Sequence, residues 1–183
     1  MTNLKMNLNN MELIHDKLLQ IKAFVFDVDG VFTDGSVIAT ENGEFLRTFN
    51  IKDGYAIQHA IKSEYPIAII SGGSSEGVRK RFEMLGVKEI YLGQKNKTEA
   101  FQLFLNKHNL SAKDIAYMGD DIPDLLLLKE VGFSCSPKDA AIDILNVVDY
   151  ISPIEGGKGC VRELIEKTMK LQNKWWHGES YSW

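Results

Sequence analysis

Short apolar runs alternate with longer segments of helical period along most of this chain, and no other feature constrains its fold as strongly. The apolar runs are residues 21–26, 66–70, 90–92, 115–118 and 133–135, with a weaker run at Tyr150. None of them alternates with polar residues, as expected of strands that are covered on both faces. The pattern predicts an α/β protein with a doubly wound, Rossmann-like parallel sheet flanked by helices.

The segments between the runs have the apolar spacing of helices. They cover residues 55–63, 76–85, 98–108, 123–131 and 137–145. Another helix is predicted before the first strand, over residues 10–20, and a helical stripe continues from Val161 to Leu171. Helices in regular alternation with strands are typical of a parallel sheet.

One segment breaks this alternation directly after the first predicted strand. Residues 36–39 and 44–49 favour β structure and flank Glu41-Asn42-Gly43. An Asn-Gly pair between two such runs is a strong hairpin signal. We predict a small β-hairpin flap over about residues 36–49. The segments from residue 29 to 71 and from residue 97 to 120, which separate the acidic, serine and lysine residues discussed below, are too short to hold a separate lid domain. No large cap domain is therefore expected.

The length of 183 residues suits a single domain spanning residues 1–183. The last segment, about residues 174–183, has no period but carries Trp175, Trp176 and Trp183. Exposed large aromatic side chains usually mark a contact surface. We therefore expect this C-terminal tail to meet a partner.

The charge balance excludes several classes of function. Lys and Arg number 21 against 25 Asp and Glu, a net charge of −4, so a broad basic surface for nucleic acid is not expected.

No run approaches the roughly 18 apolar residues of a membrane span, and the start lacks the apolar core of a signal peptide. Cys135 and Cys160 are too few for a disulfide framework and lack zinc-site spacing. We expect a cytoplasmic protein with reduced thiols and no membrane or nucleic-acid partner.

Reactive side chains follow the predicted strands at the edge where parallel sheets place their sites. They are Asp27 and Asp29 after the first strand, Ser71 after the second, Lys97 at a helix start, and Asp120, Asp121 and Asp124 after the fourth. Carboxylates gathered this closely need a cation, and an all-oxygen set suits Mg²⁺. An isolated Asp-x-Asp sequence usually belongs to a turn and has no catalytic role. Its combination with Asp120 and Lys97 predicts a catalytic site.

A phosphoryl group suits the rest of this predicted site. Lys97, Ser71 and the backbone N–H groups of glycine-rich turns would face the metal, an arrangement that holds phosphate. A carboxylate can attack phosphorus and form an aspartyl-phosphate that water hydrolyses. A second carboxyl two residues along can protonate the leaving oxygen.

In order and context, these segments resemble the four motifs of the haloacid dehalogenase superfamily of phosphohydrolases. They are Asp27-Val28-Asp29-Gly30-Val31-Phe32-Thr33, Ser71, Lys97 and Gly119-Asp120-Asp121-Ile122-Pro123-Asp124. Within the superfamily, the flap and residues 49–55, 93–97 and 156–163 are similar to those of the 3-deoxy-D-manno-octulosonate 8-phosphate (KDO 8-phosphate) phosphatases. The resemblance covers residues 21 to about 172. It implies the haloacid dehalogenase fold and a Mg²⁺-dependent enzyme of lipopolysaccharide precursor synthesis.

The resemblance also implies a role for each matching residue. Asp27 would be the nucleophile and a metal ligand. Asp29 would be the general acid and base and would offer its backbone carbonyl to the metal, and Asp120 would be the other metal ligand. Ser71 and Lys97 would hold the transferring phosphoryl group and offset its charge.

Further residues are implied around this centre. Asp121 and Asp124 would orient these groups or a metal-bound water. The implied contacts with the substrate, a small phosphorylated sugar acid, are Asp29, Asn50, Ile51, Lys52, Asp53, Gly54, Arg81 and Lys97. Gln58 and Gly73 stand where many relatives carry arginine.

Three other functions are compatible with the same residues. One is a phosphatase for the 9-phosphate of a nine-carbon, sialic-acid-like sugar. Another is a receiver-like signalling domain, although Asp29 beside the nucleophile favours rapid hydrolysis over a lasting signal. The last is a binding module without activity, which the complete motifs disfavour. Phosphate release with Mg²⁺ would separate the enzymes from the other two.

Phosphoryl transfer by a carboxylate benefits from a shielded site, and a chain without a cap must shield it in another way. The resemblance implies that subunits cover one another's sites, with flaps packed around a central axis and C-terminal segments reaching a neighbour. Residues 156–162 and the tail would supply those contacts. We therefore predict a homotetramer.

Overall fold

The computed structural model describes residues 12–176, and within them the predicted sheet is present. The strands are β1 (Ala23–Phe26), β2 (Ile38–Ala39), β3 (Phe45–Leu46), β4 (Ile67–Ile70), β5 (Glu89–Tyr91), β6 (Ile115–Met118), β7 (Phe133–Ser136) and β8 (Tyr150–Ile151). Six of them form one sheet in the order β5-β4-β1-β6-β7-β8, and all its pairs are parallel. The chain winds outward from β1 in both directions, which confirms the doubly wound arrangement.

Helices connect these strands. They are α1 (residues 12–20), α2 (Ile51–Lys62), α3 (Glu76–Met84), α4 (Lys97–His108), α5 (Leu125–Glu130), α6 (Ile142–Leu145) and α7 (Cys160–Leu171), with 3-10 turns at Ala112–Asp114 and Ile122–Asp124. Within residues 12–176, no helix has the length and apolar character needed to cross a membrane.

Two helices begin four or more residues away from their predicted starts, for local reasons. Helix α2 begins at Ile51, before the predicted start, because the Asn50 side chain accepts a hydrogen bond from the Lys52 amide at 2.9 Å and caps it. Helix α6 is shorter than predicted. The Lys138 and Ala141 amides donate to carbonyl oxygens of other loops, at 3.1 and 2.8 Å, instead of to a helical turn.

The central strand β1 shows why a strand of this sheet can be apolar at every position. Its side chains point alternately to the two faces of the sheet. Phe24 and Phe26 enter a core formed with α2, α3 and α7, whereas Ala23 and Val25 enter a second core formed with α4, α5 and α6. Because both faces are covered by helices, every position of the strand is buried.

The flap predicted at residues 36–49 is a hairpin of β2 and β3. These strands pair antiparallel, with Ile38 opposite Leu46. Gly43 lies in the turn with φ of +80°, a left-handed conformation that glycine adopts without strain. Ile38 and Phe45 are each 61% exposed, so the flap presents apolar side chains to the outside of this chain. Between residues 12 and 176, no larger insertion accompanies the flap.

The first part of the predicted tail packs on its own chain. Trp175 is 3% exposed, whereas Trp176 is 68% exposed. The Trp175 ring meets His59 edge-on with 4.8 Å between ring centroids, and His59 Nε2 donates to the Trp175 carbonyl oxygen at 2.7 Å. The expectation that a partner covers the tail's tryptophans is therefore wrong for Trp175. Trp183 lies outside the described residues.

Candidate active site

Asp27 directly follows β1 at the carboxyl edge of the sheet. Its amide donates to the Met118 carbonyl at the end of β6 at 3.0 Å, so strand pairing sets its position. The loop then turns at Gly30, which has a φ of +77°. A Cβ on Gly30 would lie 1.9 Å from Oδ2 of Asp120. Glycine thus lets the loop after Asp27 approach the Asp120 carboxylate.

Asp124 organises the loop after β6. Its Oδ1 accepts hydrogen bonds from the Tyr117 hydroxyl at 2.5 Å and from the Lys97 ammonium at 2.6 Å. Its Oδ2 accepts from the amides of Asp120 at 3.0 Å and Asp121 at 3.4 Å. Because protein donors bind both of its oxygens, Asp124 is suited to orient its neighbours rather than to leave an oxygen free for a ligand.

Lys97 is the first residue of α4, whose N-cap is Asn96. Its Nζ lies 2.9 Å from Oδ1 of Asp27 and 2.6 Å from Oδ1 of Asp124. Burial by itself lowers the pKa of Lys97, but the two carboxylates outweigh burial and the pKa is raised. Lys97 therefore stays protonated between the two acids.

Three carboxylates converge beside this lysine. One oxygen of each of Asp27, Asp120 and Asp124 lies within 4.8 Å of the others. Burial first, and then the neighbouring carboxylates, raise the pKa of Asp27 and of Asp120 to about 7, while Lys97 opposes both shifts. Oδ1 of Asp27 is buried and accepts no well-oriented hydrogen bond, despite its nearness to Lys97. These crowded oxygens fit a hard divalent cation such as Mg²⁺, which would relieve their repulsion.

Ser71 follows β4 on the other side of β1. Its amide donates to the Tyr91 carbonyl oxygen at 2.9 Å, and its hydroxyl accepts a hydrogen bond from the Gly73 amide at 3.1 Å. A serine hydroxyl that accepts one hydrogen bond can still donate its own hydrogen. Ser71 can therefore donate to an anion in the same region.

One cleft of about 650 Å³ at the carboxyl edge of the sheet unites most of the predicted residues. Those that line it are Asp27, Asp29, Ser71, Lys97, Asp120 and Asp121. Asp124 is fully buried and reaches them through the hydrogen bonds above. Segments far apart in the sequence meet here because parallel neighbouring strands end at the same edge.

The predicted substrate contacts at residues 50–54 are not among the described residues that line this cleft. Asn50 caps α2, and its Nδ2 donates to the Gly157 carbonyl oxygen at 3.4 Å. Ile51 is 67% exposed, and Lys52 lines a separate groove beside α7. In this chain these three residues lie on the α2 side of the molecule.

Asp53, Gly54 and Arg81 also lie away from the cleft lining. Asp53 is fully buried, and its Oδ1 accepts a hydrogen bond from the Arg162 amide at 2.8 Å. Burial raises the pKa of Asp53 to about 6, although Arg162 opposes the shift. A Cβ on Gly54 would lie 2.6 Å from Nη2 of Arg81, so Gly54 makes room for that guanidinium.

The glycine-rich segment before α7 packs on the loop after β1. The Gly157 amide donates to the Val31 carbonyl oxygen at 2.9 Å. A Cβ on Gly156 would lie 1.9 Å from the Gly30 carbonyl oxygen. Here the segment supports the loop that carries Asp27 and Asp29, and its reach to a neighbouring subunit stays a prediction.

Arg47, which follows β3, belongs to none of the sequence motifs but contacts Asp29, which lines the cleft. Its Nε donates to Asp29 Oδ1 at 2.6 Å and its Nη2 to Asp29 Oδ2 at 3.1 Å. The Arg47 side chain is 12% exposed and that of Asp29 is 38% exposed. No helix or strand spacing relates two residues that lie on either side of a hairpin.

Residues 87–164 match the family model of the haloacid dehalogenase-like hydrolases. Over 158 residues the chain is 38% identical to the 3-deoxy-D-manno-octulosonate 8-phosphate phosphatase KdsC of Escherichia coli strain K12, covering 86% of this chain and 84% of that protein. The similarity therefore extends over most of both chains.

Solved structures share the fold at similar identity. The phosphatase of the same name from Moraxella catarrhalis, in complex with a magnesium ion, a phosphate ion and KDO, matches with a TM-score of 0.86 and 37% identity, over 89% of this chain and 94% of that one. The cobalt-bound phosphatase of Haemophilus influenzae matches with a TM-score of 0.83 and 35% identity, over 86% of this chain and 92% of that one.

Proposed function

Since this chain belongs to the haloacid dehalogenase-like hydrolases, and among them to the family of KDO 8-phosphate phosphatases, we propose that it hydrolyses KDO 8-phosphate to the free sugar acid and phosphate. The observation that carries the proposal is the placement of Asp27, a carboxylate held by Lys97 beside Asp120 in an open cleft. That substrate implies a role in lipopolysaccharide precursor synthesis in the cytoplasm.

Asp27 and Asp29 would divide the reaction between them. An Asp27 oxygen attacks phosphorus, the bond from phosphorus to the sugar oxygen breaks, and an aspartyl-phosphate forms. Asp29 gives its proton to the departing sugar oxygen, and later takes a proton from the water that hydrolyses the aspartyl-phosphate. Lys97 and Ser71 offset the charge of the phosphoryl group. Asp29 must first leave Arg47, to which it is bound in this structure.

Mg²⁺ would be held by the side chains of Asp27 and Asp120 and by the backbone carbonyl of Asp29. The Asp124 oxygens are occupied by protein donors, which leaves the other two carboxylates for the ion. When bound, the ion offsets the charge of these acids and of the phosphoryl group. The magnesium, phosphate and KDO in the Moraxella catarrhalis protein support this assignment.

A phosphatase for a nine-carbon, sialic-acid-like 9-phosphate is the second candidate. Gly73, which lines the cleft, provides no side chain where many relatives carry arginine, so the cleft lacks a cation that those relatives could offer to the carboxylate of a sugar acid. The receiver-like and inactive alternatives are disfavoured because the similar proteins are named phosphatases.

Phosphate release from purified protein tests the proposal. KDO 8-phosphate, N-acetylneuraminate 9-phosphate and glucose 6-phosphate would each be assayed with Mg²⁺ and with EDTA. We expect the highest kcat/KM for KDO 8-phosphate, loss of activity in EDTA and recovery when Mg²⁺ is restored. A preference for the nine-carbon substrate would replace the assigned substrate, and no release from any of them would refute the proposal.

We also propose that the chain forms a homotetramer through its flap. The flap residues Val37, Ile38, Phe45 and Leu46 are all exposed in the single chain. Contiguous apolar surface of this kind is usually buried by association.

A further inference from the structure

Arg47 presents a guanidinium group at the edge of the cleft, in a geometry suited to a carboxylate. Both of its donors to Asp29 lie within hydrogen-bond distance of separate carboxylate oxygens, at 2.6 and 3.1 Å. Its Nη1 also donates to the Phe45 carbonyl oxygen at 3.2 Å, which fixes the guanidinium to the flap. Such a planar fork binds carboxylates bidentately, with more geometric selectivity than an ammonium.

The cleft offers few other cations for a second anionic group. Among the described residues that line it, the cations are Lys95 and Lys97. Lys97 is engaged by Asp27 and Asp124, and Lys95 is exposed. A phosphorylated sugar acid has a phosphate at one end and a carboxylate at the other. The phosphate would use Lys97 and the metal, so the carboxylate requires a cation of its own.

Arg47 also lies beside the residue that must meet the sugar. Asp29 protonates the sugar oxygen in the proposed reaction, and Arg47 binds the Asp29 carboxylate. We propose that Arg47 is a specificity-determining residue that binds the carboxylate of the substrate, in exchange for the Asp29 carboxylate that it binds here. This inference rests on the proposed function, because it names the residue that would recognise the sugar acid.

The surroundings of Gly73 support this assignment and provide a test. A Cβ on Gly73 would lie 3.5 Å from Nη2 of Arg47 and 3.5 Å from Oδ2 of Asp29, ordinary van der Waals distances. Gly73 is also not among the residues with positive φ, so a side chain there meets no backbone strain. The Arg47 guanidinium thus lies beside the space that a side chain at position 73 would enter. An arginine at position 73 could therefore replace Arg47.

The test compares substrates with and without a carboxylate. Arg47→Ala, Arg47→Lys and the unmodified protein would be assayed on KDO 8-phosphate and on glucose 6-phosphate. We expect Arg47→Ala to lower the ratio of the two kcat/KM values by about 10-fold or more, mainly through a higher KM for KDO 8-phosphate. Arg47→Lys should retain part of the ratio. Arg47→Ala combined with Gly73→Arg should restore a substantial part of it.

Two controls separate recognition from a general defect. Lys113→Ala removes an exposed cation just before β6, at the opposite edge of the sheet, and should leave the ratio unchanged. In inhibition assays, Arg47→Ala should raise the inhibition constant of free KDO at least 10-fold more than that of inorganic phosphate. Lys95→Ala tests the other cation of the cleft, which is exposed and could bind the substrate carboxylate in place of Arg47. If it lowers the ratio and Arg47→Ala does not, the inference is overturned.

The inference and the proposed function fail in different ways. If phosphate is released from KDO 8-phosphate but Arg47→Ala reduces both substrates equally, the inference is wrong and the function stands. If no variant releases phosphate from KDO 8-phosphate, the function fails. Calorimetry with free KDO then decides the role of Arg47. Weaker binding by Arg47→Ala than by the unmodified protein supports it, and equal or undetectable binding by both rejects it.

Discussion

At the scale of single residues, the cleft depends on opposing charges held at short distance. Lys97 favours the ionised form of Asp27, whereas burial and the Asp124 carboxylate disfavour it, and the pKa of Asp27 is raised to about 7. A group in this balance can act as a nucleophile when a cation offsets the surrounding negative charge. The reactive property therefore belongs to the cluster and not to Asp27 alone.

Replacement of Asp27 by asparagine tests the nucleophile. The amide has nearly the same shape but cannot attack phosphorus as an anion or bind Mg²⁺ as a charged ligand. We expect kcat to fall by about 10³-fold or more, while the thermal unfolding curve shows that the fold is kept. A phosphate-release assay measures kcat, and circular dichroism measures the thermal unfolding curve. If the variant retained a substantial part of kcat, Asp27 would not be the nucleophile.

Asp53 should make stability depend on pH. Burial raises its folded-state pKa from 3.8 to about 6, so the folded protein holds a proton on Asp53 that the unfolded chain has already lost. The free energy of unfolding should therefore fall by on the order of 2 kcal/mol as the pH rises from 4 to 6. Above pH 6 it should level off. Asp53→Asn should lack this component. Urea denaturation of both proteins at matched pH measures it, and parallel pH curves would contradict the prediction.

At the scale of elements, α2 and α7 are joined by the end of the described chain. Trp175 packs on Tyr55 and His59 of α2, and the Arg162 guanidinium of α7 lies 5.6 Å from the Trp175 ring centroid. The indole thus ties together two helices on the same face of the sheet. This is a contact within one chain, in place of the partner contact predicted for this residue.

The adjacent tryptophans provide a matched pair of variants. Trp175→Ala would leave a cavity against α2, and we expect it to lower the free energy of unfolding by about 3 kcal/mol or more. Trp176 is 68% exposed, so Trp176→Ala should change the free energy by no more than about 0.5 kcal/mol. Urea denaturation measures both. Equal effects would show that burial of the Trp175 ring does not stabilise the fold.

At the scale of the whole molecule, no contact within the described part of the chain covers the apolar side chains of the flap. A two-stranded hairpin is marginally stable by itself, and this one exposes apolar side chains on both strands. Association through the flap would bury that surface and bring subunits close to one another's clefts. The proposed homotetramer would thus supply the shielding that a cap domain gives to larger enzymes.

Ile38→Glu tests this assembly. Ile38 is 61% exposed on the flap, and a buried, unpaired carboxylate there would oppose association. We expect light scattering to report a tetramer for the unmodified protein and a smaller species for Ile38→Glu. Leu103→Glu is the control, because Leu103 is 60% exposed on α4 and should leave the tetramer intact. A fully active monomeric unmodified protein would refute the shared-site proposal.

Local patterns in the sequence were sufficient for the sheet and for the residues at its carboxyl edge. Apolar runs of strand length without polar alternation indicate buried parallel strands, and parallel strands end at one edge. Asp27, Ser71, Lys97 and Asp120 therefore meet in the cleft that their positions predict. The flap was also predictable from local sequence, because the Asn-Gly signal of its turn lies within a few residues.

Only the tertiary structure decided the contacts between residues that no backbone period relates. Arg47 reaches Asp29 because the hairpin folds back over the loop after β1, and Trp175 is buried because the chain after α7 returns to α2. Asp53 is buried because α7 begins against it. The sequence by itself determined which segments form strands and helices and which acids follow β1 and β6, since those depend on neighbouring residues. Which distant cation pairs with an acid depends on the packing of whole elements, whose free energy is distributed over the entire core.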